Sequence, residues 1–100
     1  MQNLYKVITS DANVVKIQLS DEKHPIFEAH FPNMPILPAF IVIDLVEKLF
    51  FTKVIEVKKA KFIKPILPNS IITYQKEGDV FKIFHKEEIV ASLNLCTTAS

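Results

Sequence analysis

A chain of 100 residues with twelve lysines, no arginine, one cysteine and a net charge of +1 has room for one domain, residues 1–100, and lacks the arginine forks that read phosphates and base edges. The lone Cys96 excludes an intramolecular disulfide framework and a cysteine zinc site. No run approaches the roughly 20 apolar residues of a membrane span, and the N-terminus carries no secretory pattern, so a reducing cytoplasm is the expected setting. The apolar share is 49%. So short a chain buries a modest part of its surface, and the excess suggests a face covered by a second subunit.

In chain order, residues 4–9 and 14–19 read as two short strands around the turn formers Ser10, Asp11, Ala12 and Asn13. Residues 20–29 read as an irregular crossing with Ile26 and Phe27 tucked inward. Pro32, Pro35 and Pro38 stiffen the next segment, each fixing its own φ and pushing its predecessor out of the helical region. Residues 39–51 contain no Pro or Gly and form a dense apolar run, so a helix is predicted there, with Pro38 at its first turn. Its charges, Asp44, Glu47 and Lys48, share one narrow face, and the remaining circumference is apolar, as in a helix enclosed by a curved sheet. Strands are predicted over 53–64, 71–76, 80–85 and 89–97, with a bend over 65–70 and tight turns at Gly78-Asp79 and at 86–88, so that adjacent strands make an antiparallel meander. One apolar helix with several antiparallel strands implies an α+β fold, a sheet wrapped around the helix.

Four features carry candidate chemistry. His30 sits on the proline-stiffened loop, and an imidazole titrating near neutrality suits proton transfer; an isolated loop histidine is more often structural. His24 and His85 read as solvated. The three histidines have no cysteine partner and no carboxylate at ligand spacing, so no metal site is expected. Asp44 has an equally strong bland reading, an ion pair with Lys48 one turn on. Yet at 1.5 Å per residue it lies roughly 8 Å along the axis from Ala39, within reach of the far end of a small acyl group whose carbonyl sits at the helix start. There the N–H groups of Ala39 and Phe40 lack intrahelical acceptors, and the helix dipole adds positive potential. Finally, Lys58, Lys59, Lys61 and Lys64 cluster on one predicted strand. Such a run most often solvates an edge, and it also suits an acidic partner.

The string His30-Phe-Pro-Asn-Met-Pro-Ile-Leu-Pro-Ala-Phe-Ile-Val-Ile-Asp44 resembles the signature of the hot-dog-fold 3-hydroxyacyl-[acyl-carrier-protein] dehydratases: His-Phe-Pro-Gly-x-Pro-x-x-Pro-Gly, then a helical acid fourteen residues after the histidine. The segment Lys59-Ala-Lys-Phe-Ile-Lys-Pro-Ile-Leu-Pro-Asn-Ser70 is similar to the family's second landmark, a strand entering a Pro-x-x-Pro-Gly-Asp bend. The length is closest to the compact aryl-polyene-type members, which are also similar to the fatty-acid synthesis enzymes. The resemblance implies a hot-dog fold and dehydration of a 3-hydroxyacyl thioester to its trans-2-enoyl product. It implies His30 as the base, Asp44 as the acid, and the Ala39 and Phe40 amides around the thioester oxygen. It also implies a homodimer or higher homo-oligomer with His and acid from opposite subunits, no cofactor of the protein's own, and an acidic acyl carrier protein that delivers phosphopantetheine near the lysine cluster.

The sequence departs from that pattern where Asn33, Ala39 and Asn69 replace glycine. Asparagine tolerates positive φ, so Asn33 and Asn69 can still turn the chain. If position 39 is helical, alanine keeps the amide and adds a methyl group. A non-catalytic acyl- or partner-binding hot-dog subunit is the alternative reading. A thioesterase stands behind it, since the His-Phe-Pro motif is not typical of one.

Overall fold

The computed structural model describes residues 2–29 and 33–99. The elements run β1 (Tyr5–Ser10), β2 (Val14–Leu19), α1 (Pro25–Ala29), α2 (Ala39–Phe50), β3 (Thr52–Phe62), β4 (Ile71–Glu77), β5 (Val80–His85) and β6 (Glu88–Ala99). The strands form a six-stranded sheet in the order β1-β2-β4-β5-β6-β3, with every neighbouring pair antiparallel. The expected α+β architecture is therefore present, and the helix lies against one face of the sheet.

Alternation fixes which face that is. Val15, Ile17 and Leu19 of β2, Ile72 and Tyr74 of β4, Phe81 and Ile83 of β5, and Ala91, Leu93 and Leu95 of β6 are all buried. Successive strand side chains point to opposite faces, so one residue in two meets the helix. From α2 the facing residues are Ile41, Val42, Leu45, Val46 and Leu49, the i, i+1, i+4, i+5, i+8 stripe of an amphipathic helix. Tyr74 ties the layers together, its hydroxyl donating to the Val42 carbonyl at 2.8 Å. Burial drives that phenol strongly towards its protonated form, with a smaller push from the phenol of Tyr5. Phe50 meets Phe81 edge-on, with ring centroids 5.2 Å apart.

Two departures from the sequence reading have local causes. The crossing at 20–29 contains a five-residue helix, α1, with Phe27 fully buried beneath it. His24 is its cap and not a free surface residue. The His24 carbonyl accepts from the N–H groups of Phe27 and Glu28, and its Nδ1 accepts from Ile26. Its Nε2 lies 2.9 Å from the Gln2 carbonyl, an acceptor only, so this geometry specifies the neutral ring with its proton on Nε2. The second departure concerns β3, which pairs with β6 at the far edge of the sheet and not with β4, the next strand in sequence. Pro65 and Pro68 cannot donate to a ladder, so the segment between β3 and β4 leaves the sheet and passes over the start of α2, where the Leu37 N–H donates to the Ile66 carbonyl at 2.8 Å. Asn69 ends that crossing at φ 66°, the left-handed conformation expected of it.

Candidate functional site

His30 lies outside the described residues. The other end of the candidate motif is well defined. Pro38 is the N-cap of α2, in extended conformation and without a side-chain cap bond. Its carbonyl takes the N–H groups of both Ile41 and Val42, at 3.0 and 3.1 Å. Position 39 is helical, so the alanine found there needs no positive φ. No acceptor among the described residues takes the Ala39 N–H. An uncapped helix start of this kind combines an unsatisfied donor with the positive end of the helix dipole.

A cavity of about 330 Å³ opens at that point, lined by Leu37, Ala39 and Val42 on one side and by Phe62, Ile63 and Ile66 on the other. The prolines made it. Pro35 and Pro38 hold the entering chain away from helical geometry, while the crossing through Pro65 and Pro68 brings Ile66 down onto Leu37. The walls are apolar, with Lys64 at the rim. An apolar cavity of this kind, beside a helix start whose first N–H has no acceptor among the described residues, can take an acyl chain. A larger groove of about 570 Å³ lies on the outer face of the sheet around Lys16, Thr73 and Phe84, and no candidate residue lines it.

Asp44 is exposed on α2, about 7.5 Å along the axis from Ala39. It does not line the cavity beside Ala39. Val42 does, and at 100° per residue Asp44 points away from it, on the same side as Phe40, which is 54% exposed. The ion pair with Lys48 is not formed: among the described residues the pairs are Lys58–Asp79, Lys64–Glu88 and Lys82–Glu77. Nor does any described group hydrogen-bond the Asp44 carboxylate. The neighbouring Glu47 has a structural job, accepting the Val54 N–H at 2.7 Å across the α2–β3 connection. Its backbone carbonyl takes the N–H of Phe51, the left-handed residue that ends the helix. Thus one chain presents an apolar cavity on one side of its helix and, on another, a carboxylate without a partner among the described residues.

The lysine cluster divides. Lys64 at the cavity rim is bonded to Glu88, whose carboxyl is held below the ordinary range chiefly by that hydrogen bond and charge. Lys58 lies 4.0 Å from Asp79. Lys59 and Lys61 stand opposite Asn94 and Ser92, on the outer face of the sheet, whereas Val57, Ala60 and Phe62 stand opposite buried Leu95, Leu93 and Ala91. Sequence reasoning named the amide and the acid but missed the cavity's second wall. The signal was present in the second landmark, whose prolines force the chain back over the helix start.

Helix, sheet order and the proline crossing define a hot-dog protein, and solved structures agree. One chain of "The Dehydratase Heterocomplex ApeI:P from Xenorhabdus doucetiae" superposes with a TM-score of 0.70 at 18% identity, covering 98% of this chain and 99% of that one. Thioesterase superfamily member 2 from Mus musculus gives 0.62 at 12% identity, covering 95% and 80%. The PaaI protein of the E. coli phenylacetic acid degradation operon gives 0.59 at 10%, covering 94% and 82%. No curated protein matches the sequence. The chain belongs to the ApeI-like family, whose model, described as ApeI dehydratase, matches residues 7–93.

Proposed function

We propose that this protein dehydrates a 3-hydroxyacyl thioester carried on acyl carrier protein to the trans-2-enoyl thioester. The observation that carries this reading is the apolar cavity that Ala39 lines at the uncapped start of α2, in a chain of a dehydratase family. The thioester oxygen accepts from the Ala39 N–H, which no described acceptor takes. The imidazole of His30 removes a proton from C2, and the electron pair moves towards the thioester as an enolate whose oxygen the Ala39 N–H stabilises. As the C2–C3 double bond forms, the C3–O bond breaks, and Asp44 gives its proton to the departing hydroxyl, which leaves as water. Oxidation state does not change, so the reaction needs no redox group.

Because Asp44 stands on a different side of the helix from the cavity of its own chain, the acid in each site comes from a second like-folded subunit. Burial of exposed Phe51, Ile55, Val57 and Phe62 drives that assembly, a homodimer in the simplest form. The carrier's acidic surface meets Lys64 at the cavity rim first, with Lys58, Lys59 and Lys61 contributing at longer range.

The test is the reverse reaction. Purified protein mixed with an enoyl thioester on acyl carrier protein is expected to bleach the conjugated absorbance without releasing thiol. His30→Ala is expected to remove that activity and leave the fold intact. Release of free thiol would assign a thioesterase instead. No change on any chain length, as carrier or coenzyme A thioester, would assign a binding subunit.

A further inference from the structure

The face of the sheet turned away from α2 is largely polar. Gln75, Lys82 and Ser92 form one cross-strand row on it, and Gln18 and Asn94 share that facing by alternation. One end departs from this pattern. Phe84 stands across from Thr73, and Thr73 across from Lys16. Ile71 lies two residues before Thr73 on the same side of β4, and Leu67 joins them from the proline crossing. Ile71 is 46% and Leu67 49% exposed. These side chains line the groove of about 570 Å³ noted above. A hollow of about 340 Å³ shares Thr73, Phe84 and Glu87 with it and extends it to Gln75.

Both ends of the groove are held in place. Ile66 is buried in the core, so Leu67, the next residue of the crossing, turns outward, and Pro68 stiffens the chain after it. The Asn69 N–H donates to the Ser20 carbonyl at 2.8 Å and the Leu19 N–H to the Ser70 carbonyl at 2.9 Å, which pins the crossing to the end of β2. At the other end stands the β5–β6 turn. Lys86 and Glu87 have positive φ there, at hairpin positions that glycine or asparagine takes more readily, and both line the groove. Lys16, Lys86 and Glu87 have no ion-pair partner among the described residues. Two ammonium groups against one carboxylate leave the rim net positive, and His85, which also lines the groove, adds no negative charge. Apolar walls under such a rim fit an amphiphile with a single negative charge.

We propose that this groove binds an aliphatic monocarboxylate of medium chain length. Lys16 and Lys86 draw its carboxylate, and Leu67, Ile71 and Phe84 cover its chain. Glu87 repels a second negative charge, which favours monoanions over dianions. The site is distinct from the cavity at α2. No residue lines both, and the two lie on either side of the crossing, with Ile66 in one and Leu67 in the other. The proposal therefore goes beyond the dehydratase reading and does not depend on it.

The probe is sodium octanoate, below the concentration at which it forms micelles, titrated into isotope-labelled protein and followed by amide NMR. Saturable shifts are expected at Thr73, Phe84 and Lys86, with a Kd of about 1 mM or tighter. The neutral 1-octanol, which keeps the chain and lacks the charge, is expected to bind there about fivefold more weakly, and added salt is expected to narrow that gap. Lys16→Gln/Lys86→Gln changes exposed side chains only. It is expected to keep the melting temperature and to bring octanoate down to the affinity of octanol. Shifts confined to Ala39, Val42 and Ile66 would put the acid in the cavity at α2 and overturn the proposal while sparing the dehydratase reading. Equal affinity for octanol and octanoate in the wild type, or no saturable shift along the groove, would also overturn it.

Discussion

Strands β5 and β3 show the same alternation and opposite outcomes. In β5, Phe81 and Ile83 are completely buried between the sheet and α2. In β3, Val57 and Phe62 take the same facing across from buried β6 residues, yet remain almost half exposed. The difference is position. A central strand has neighbours on both sides and the helix above, whereas an edge strand that outruns the helix has cover on one side only. Periodicity therefore reports which face of a strand is apolar, and topology decides whether this chain alone can bury it.

Substitutions on the two strands sharpen that contrast. Phe81→Ala removes a buried ring from under Phe50 and is expected to cost about 3–5 kcal/mol in urea unfolding. Phe62→Ser is expected to shift the monomer by no more than about 1 kcal/mol, and to act on association instead. Equal losses at the two positions would break the comparison. Within the core, Tyr74→Phe deletes the hydroxyl that reaches the Val42 carbonyl and is expected to cost about 1 kcal/mol, read as a lower denaturant midpoint at constant slope.

Much of the architecture was legible because it is local. The 2-residue period of 14–19, 80–85 and 89–97 and the apolar run from Ala39 fixed strand faces and helix before any contact was known. Helix α1 was not legible: five residues give no period, and its cap is a histidine held by the distant Gln2 carbonyl. The far-edge position of β3 was hidden for a related reason, since strand neighbours are set by crossings and not by sequence order. At the site, the helix start and its amide followed from Pro38, and Asn69 takes the positive φ that its side chain tolerates. That Asp44 would remain unpaired by Lys48 depended on rotamers that spacing alone does not choose.

The smaller effects lie at the sheet's turns and surface. Lys86 and Glu87 both have positive φ, 51° and 67°, in the β5–β6 turn. Glu87→Gly is expected to stabilise the chain by about 0.5–1 kcal/mol, seen as a higher melting temperature. Smallest is the Lys64–Glu88 pair. The folded-state carboxyl of Glu88 titrates below its unfolded value. Its contribution is therefore present above the ordinary carboxylate range and is lost as pH falls through the lowered folded value. Lys64→Met is expected to flatten stability against pH only in that acid window; a change confined to neutral pH would refute the assignment.

Under the proposed function Asp44 acts as an acid and not as surface charge. Asp44→Asn keeps shape and size and removes only the transferable proton, so the hydration rate of an enoyl thioester, measured beside the melting temperature, isolates the role. The expected result is a rate at least about 100-fold lower with an unchanged melting temperature. A variant that hydrates its substrate at the wild-type rate would contradict the account.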